Sequence, residues 1–194
     1  MESKIKRIVI FASGSGTNAE AIINHFSKKP DVQVSGIFVN KPDAYVITRA
    51  KKHYVPVFTF NRNDFYDSNR ILNLLYEQKA DCIVLAGFLW LMPTHILEAF
   101  PNAILNIHPA LLPAYGGKGM YGDRVHKAVW ENGESETGIT IHLVNEKYDE
   151  GKVVFQEKVE IQRTDTPETI AGKVHQLEHQ YYPKVIEQFL RKNV

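Results

Sequence analysis

Only one of the 194 residues is cysteine. Cys82 sits inside an apolar run, Asp81-Cys82-Ile83-Val84-Leu85-Ala86, so no internal disulfide is available and a reduced, cytoplasmic setting is expected. Net charge is equally scarce. Lys and Arg number 23 against 22 Asp and Glu, leaving +1, and no basic stripe marks the chain as a nucleic-acid partner. A small anionic ligand stays open, because local donors decide that. No run approaches 18 apolar residues, so no membrane association is expected. Lys4, Lys6 and Arg7 precede the apolar residues 8–12, but that stretch is too short for a secretory h-region and passes into Ser-Gly-Ser-Gly. The eight histidines suggest no ligand set with the lone cysteine, and no metal is expected. A serine nucleophile elbow is missing too, since Gly14-Ser15-Gly16 has the wrong spacing.

What is present is enough for a packed core. Hydrophobic residues make up 44% and charged residues 23%, ordinary values for a globular chain, and the length suits one domain over residues 1–194. Residues 7–12 form a continuous β-branched and aromatic run, the mark of a buried parallel strand. Ser13-Gly14-Ser15-Gly16-Thr17-Asn18 follows, then helical spacing through residue 26. Thr17 and Glu20 have the form of a capping box. A glycine turn between strand and helix aims backbone N–H groups at an anion.

Gly14-x-Gly16-x-x-Ala19 also fits a relaxed dinucleotide fingerprint. That site wants an acid at the end of the second strand, and residues 32–39 lead instead into Asn40-Lys41-Pro42, with Asp43 beyond the proline. The turn reads better as a cradle for one phosphate. A glycine turn with no ligand is the plain alternative.

Farther along, residues 44–53 suggest a short helix and 55–60 a third strand. Asp64 is placed to cap a helix running through Tyr76, with Phe65, Ile71, Leu72 and Leu75 inward. Strand 81–86 opens into Gly87-Phe88-Leu89-Trp90-Leu91-Met92, a lining for a flat aromatic ring or simply core. After a helix at 94–100 comes Ala103-Ile104-Leu105-Asn106-Ile107-His108-Pro109. Side chains two apart on a strand share a face, so an amide lies beside an imidazole where Pro109 ends the strand. Taken alone, that pair is equally a core histidine and a turn asparagine. Residues 111–121 form a loop, its glycine-rich part running from Gly116 to Gly122. A helix at 124–132 ends at Gly133. Alternating segments 138–144 and 153–161 suggest an antiparallel pair. A last helix starts at Thr166-Pro167 and runs to about Leu190, Pro183 being the one place where it is expected to break.

Ser-Gly-Ser-Gly-Thr-Asn after the first strand, Ala86-Gly87-Phe88, Asn106-Ile107-His108-Pro109-Ala110-Leu111-Leu112-Pro113 and Asp149-Glu150-Gly151 together resemble the phosphoribosylglycinamide formyltransferase family, the folate-dependent enzymes of purine synthesis. The resemblance implies an α/β, Rossmann-like formyltransferase fold: a mostly parallel twisted sheet with an antiparallel C-terminal strand pair and helices on both faces. It implies transfer of a formyl group from 10-formyltetrahydrofolate to glycinamide ribonucleotide. Gly16, Thr17 and Asn18 would hold the phosphate and Glu178 the ribose. Leu89, Trp90, Leu91 and Met92, with Asn145, Glu146, Lys147, Tyr148 and Asp149, would hold the folate. Asn106, His108 and Asp149 would be catalytic, Asp149 keeping His108 protonated. His142 matches a family histidine near the site, though a structural role suits it equally.

Two departures stand out. Trp90 occupies a position where the family often carries arginine, and the Gly116–Gly122 loop is longer than usual. The family's arginine for the folate tail has no clean match, and Arg62 is left out of the site. Small-molecule substrates are the expected partners of a monomer or weak homodimer, although the sequence is silent on assembly. Two rivals share parts of this reading. One is a nucleotide-binding module using only the glycine turn, the other a formyltransferase acting on an amino-sugar nucleotide.

Overall fold

The structure, a computed structural model, describes residues 5–192; Lys4 and the outermost residues of the 1–194 span lie outside it. Seven strands make one sheet in the order β3-β2-β1-β4-β5-β6-β7. They are β1 (Lys6–Ala12), β2 (Val32–Val39), β3 (Val57–Thr59), β4 (Cys82–Leu85), β5 (Ile104–His108), β6 (Glu136–Leu143) and β7 (Val153–Glu160). The first five are parallel, while β5–β6 and β6–β7 are antiparallel. The chain winds outward from β1 through β2 to β3, then restarts on the other side with β4. The switch therefore falls between β1 and β4, at whose C-terminal ends open α/β sheets bind ligands.

The two faces of β1 explain its continuous apolar run. Ile8, Ile10 and Ala12 enter one core with residues of helices α1 (Thr17–Phe26), α2 (Val46–Lys52) and α7 (Pro167–Lys192). Val9 and Phe11 enter another with residues of α3 (Arg62–Tyr66), α4 (Arg70–Glu77) and α5 (Thr94–Ala99). A strand buried on both faces cannot alternate with polar residues. The remaining helix, α6 (Asp123–Glu131), packs Val125 and Val129 on Ala110. Pro183 does not end α7, which runs continuously past it. Beside it the buried Tyr182 lodges its hydroxyl between Leu85 O at 3.0 Å and Leu105 O at 3.1 Å, holding α7 against β4 and β5.

Two local expectations fail. Thr17 and Glu20 form no capping box: Gly16 is the N-cap, with no side-chain hydrogen bond, and Glu20 is drawn away into contact with Arg49 and His53. A half-buried ion pair across helices outcompetes the local bond. Asp64 caps nothing through Tyr76 either, because two helices stand there. Asn61 caps the first, Asp64 completing its box from the N3 position, and the break between them lets Phe65 and Ile71 both face the core.

Candidate active site

One cavity of about 630 Å³ opens at the switch between β1 and β4, a size suited to small-molecule ligands. Its first wall is the glycine turn. Gly16 has φ 77 and would place a Cβ 2.9 Å from the Val46 Cα, so any other residue there meets backbone. Carbonyls of the turn are already engaged. Val46 N–H donates to Gly14 O at 3.1 Å, Arg49 Nε to Ser15 O at 2.9 Å, and Glu20 N–H to Gly16 O at 2.9 Å. The N–H groups opening α1 have no partner within the helix, as in any first turn, and the turn lines the cavity. Asn18 Nδ2 donates to Glu178 Oε2 at 2.9 Å. Burial pushes the Glu178 carboxyl above its ordinary range, against the opposing bond from Asn18.

The second wall follows β4. Ser13 N–H donates to Gly87 O and Leu89 N–H to Ser13 Oγ, each at 3.1 Å, so the turn is tied to the segment after β4. Leu89, Trp90, Leu91 and Met92 all line the cavity. The Trp90 ring packs 5.8 Å from Phe65 and 6.2 Å from Phe88, with the Arg62 guanidinium 4.8 Å above it.

The third wall carries the cavity's hydrogen-bonded cluster of amide, imidazole and carboxylate side chains. Asn106 and His108 project together from β5, and Asp149 reaches them from the loop between β6 and β7. Its carboxylate lies 3.5 Å from Asn106 Nδ2, 3.5 Å from His108 Nδ1 and 3.6 Å from His142 Nε2. It also accepts from Gly117 N–H at 2.9 Å. Burial pushes the Asp149 carboxyl up, but the His142 and His108 imidazoles, in their protonated forms, and the Gly117 N–H outweigh it and hold the carboxyl below its ordinary range. Asp149 has φ 57, a left-handed conformation that aspartate tolerates better than most residues.

Carbonyl oxygens only accept, which fixes both imidazoles. His108 Nε2 donates to Tyr115 O at 2.8 Å, and His142 Nδ1 donates to Leu143 O at 2.9 Å. Neutral His142 then presents a bare Nε2, which accepts from Asn106 Nδ2 at 3.0 Å. Neutral His108 presents a bare Nδ1 toward Asp149. Here the expected balance reverses. Asp149 does pull the His108 pKa up, yet burial is the larger effect and the imidazole lies below its ordinary value.

The structure thus gathers Asn106, His108, Asp149, Gly16, Thr17, Asn18, Glu178, Leu89, Trp90, Leu91, Met92, Lys147 and Tyr148 around one space. Asn145 and Glu146 stay outside its lining. Asn145 turns back to accept from Lys147 N–H at 3.0 Å, the habit of asparagine in turns. His142 also lines the cavity. Antiparallel pairing sets it opposite Asn106, and a register shift between Ile141 and His142 re-aims it. His126 and His175 also line the cavity, their rings 6.0 Å apart. For His175 the spacing His175-x-x-x-His179 on the last helix is an available signal, and the rings of that pair stack at 6.4 Å, whereas no local spacing marks His126. Among the described residues no His, Cys, Asp and Glu group stands close enough to hold a metal ion.

His126 gives an acid sensitivity. Burial first, then His175, pushes it down to about 4 from 6.5, and its Nδ1 has no partner. Between those values the unfolded chain binds a proton that the fold refuses, so stability falls as pH drops. The loss from pH 7 to pH 5 should reach about 2 kcal/mol. Urea unfolding at both pH values measures it, and His126→Gln should flatten the decline.

A family model described as formyl transferase matches residues 6–186. The chain is 40% identical to a chloroplastic phosphoribosylglycinamide formyltransferase of Arabidopsis thaliana over 95% of its length, and spans 65% of that protein. It is 36% identical to the phosphoribosylglycinamide formyltransferase of Bacillus subtilis, over 97% of both. A crystal structure of phosphoribosylglycinamide formyltransferase from Bacillus halodurans superposes with TM-score 0.86 at 37% identity, covering 97% of each chain.

Proposed function

The chain belongs to the formyl transferase family, and from that membership and the cavity's geometry we propose that it formylates glycinamide ribonucleotide from 10-formyltetrahydrofolate, in purine synthesis. One observation carries the reading: Asn106, His108 and Asp149 share a single cavity with the glycine turn, so an amine on a phosphorylated ribose can meet an acyl donor there. Gly16, Thr17 and Asn18 take the phosphate at the opening of α1. Glu178 faces the ribose hydroxyls. The flat apolar wall from Leu89 to Met92 suits a pterin, with Lys147 and Tyr148 at its rim. Residues 1–194 act as one unit on small-molecule substrates alone. A cytoplasmic setting accords with Cys82, whose buried thiol is pushed up to about 12 and is unreactive.

The chemistry follows from the donors. The substrate amine attacks the formyl carbon, and negative charge gathers on the formyl oxygen. Asn106 Nδ2 holds one proton on His142; the other, loosely directed at Asp149 across 3.5 Å, turns to that oxygen. His108 Nδ1 supplies the second donor once protonated, a state that Asp149 favours from 3.5 Å. Asp149 then relays the amine's proton through water to the folate nitrogen as the bond between that nitrogen and the formyl carbon breaks.

Removing the Asp149 charge in Asp149→Asn removes an upward pull on His108 that burial already outweighs. The alkaline limb of the kcat profile should move to lower pH, and kcat should fall by roughly 10²–10⁴-fold. An unmoved limb takes Asp149 out of the mechanism. The deciding assay supplies 10-formyltetrahydrofolate with glycinamide ribonucleotide or an amino-sugar nucleotide. Formylation of the first is expected. Formylation of the sugar alone, or phosphate-ester binding without transfer, would overturn the assignment.

A further inference from the structure

Two of the reacting side chains are tied to the same three residues of backbone. His108 Nε2–H donates to Tyr115 O at 2.8 Å, and Gly117 N–H donates to Asp149 Oδ2 at 2.9 Å. Between them Gly116 leaves no room for a side chain, since a Cβ there would stand 3.3 Å from the Asp149 Cβ and closer still to Leu112. Segment 115–117 is therefore a seam joining the imidazole to the carboxylate.

Tyr115 sits in that seam with φ 57, a left-handed conformation that an aromatic residue keeps only where its surroundings impose it. The surroundings are specific. Its half-buried ring packs on the small cluster of Ala110, Val125 and Val129. Its hydroxyl donates to Glu134 Oε1 at 2.6 Å and accepts from Asn132 Nδ2 at 2.8 Å. Both partners belong to the turn that leaves α6, where Gly133 has φ 64. The phenol is thus moored outside the cavity while its own carbonyl reaches in to His108.

We propose that Tyr115 is a positioning residue: its phenol, held by Glu134 and Asn132, fixes the carbonyl that keeps His108 in the Nε2–H tautomer and leaves Nδ1 as the atom facing Asp149. The assignment of His108 as an oxyanion donor rests on the function proposed above; the hold of Tyr115 on the imidazole does not. In this arrangement the only nitrogen of His108 that exchanges a proton during the reaction is the one next to Asp149. Without the mooring the ring samples both tautomers, and the neutral Nδ1–H form, unanchored at Tyr115 and without the imidazolium charge, is the weaker and less well aimed donor.

Tyr115→Phe tests this, because it keeps the ring and removes both hydrogen bonds. Histidine-ring ¹H–¹⁵N correlation spectra of the substrate-free protein should show His108 as a pure Nε2–H tautomer in the parent and a mixture in the variant. The variant's kcat should fall about 5- to 30-fold, with KM for glycinamide ribonucleotide changed less than twofold, since the glycine turn is untouched. Glu134→Gln, whose amide oxygen still accepts the phenol proton, should keep the parent spectrum and most of the activity. An unchanged His108 spectrum in Tyr115→Phe overturns the proposal, whatever happens to kcat. A changed spectrum in a protein that formylates neither acceptor would leave the tautomer assignment standing and sink the proposed function instead.

Discussion

Replacing Asn106 with alanine should lower kcat by about 10²–10³-fold while leaving the nucleotide's affinity nearly unchanged. An oxyanion donor aimed at the developing charge contributes about 2.7–4 kcal/mol to the transition state, which is that range of rate. Asn106 has the one side-chain amide that shares the strand face of His108, and its Nδ2 reaches both His142 Nε2 and the Asp149 carboxylate. The glycine turn stands on a different wall, tied to the segment after β4 through Ser13, so affinity for the ribonucleotide should not follow the rate. Truncation also leaves a bare His142 Nε2 in a buried setting. The melting temperature therefore reports any structural cost separately, and a site that merely collapsed would lose affinity and rate together. Steady-state kinetics with both substrates varied decides between them, and a loss in kcat under threefold would remove Asn106 from the oxyanion site.

The parts of this site that could be read from sequence are those set by short-range periodicity. Asn106 and His108 are two apart on a strand, so their shared face follows from the pleat. Gly14 to Asn18 lie between a buried strand and a helix, so their place at a helix opening follows from the elements on either side. His142 is different. Its neighbourhood depends on which strand β6 pairs with and in what register, and a bulge near Ile141 then alters its aim. Neither is written in the local pattern. The same holds for Glu20, whose local cap is abandoned for Arg49 and His53 from α2 and its C-terminal end. Asn145 and Glu146 lie outside the cavity lining for another reason: membership of a loop that contains Asp149 says nothing about which of its residues turn inward. His108 itself shows how far magnitude matters. A carboxylate neighbour was legible from the resemblance, but the burial that outweighs it belongs to the packed structure.

The Asp149-Glu150-Gly151 motif gives the other large effect, and the reason lies in backbone. A Cβ at position 151 would overlap the Leu143 carbonyl oxygen and come within 3.3 Å of His142 Nδ1. That carbonyl accepts the His142 Nδ1–H bond and so sets the tautomer on which Asn106 depends. It cannot yield without pulling the chain off β5, because the N–H of the same peptide group, on Val144, is bonded to Ile104 O at 2.9 Å. Gly151→Ala should therefore cost about 3 kcal/mol or more, lowering the melting temperature by roughly 6–12 °C for a chain of this size. Activity should fall at least about 10²-fold, since the loop that must shift carries Asp149 and misplacement of that order is enough. Gly172→Ala is the matched control. It lies within α7 with nothing inside 4 Å of the added carbon, and alanine should stabilise the helix by up to about 1 kcal/mol. If Gly151→Ala melted and turned over like Gly172→Ala, the Leu143 carbonyl would not be what holds Asp149 and His142 in register, and the glycine of the motif would need another explanation.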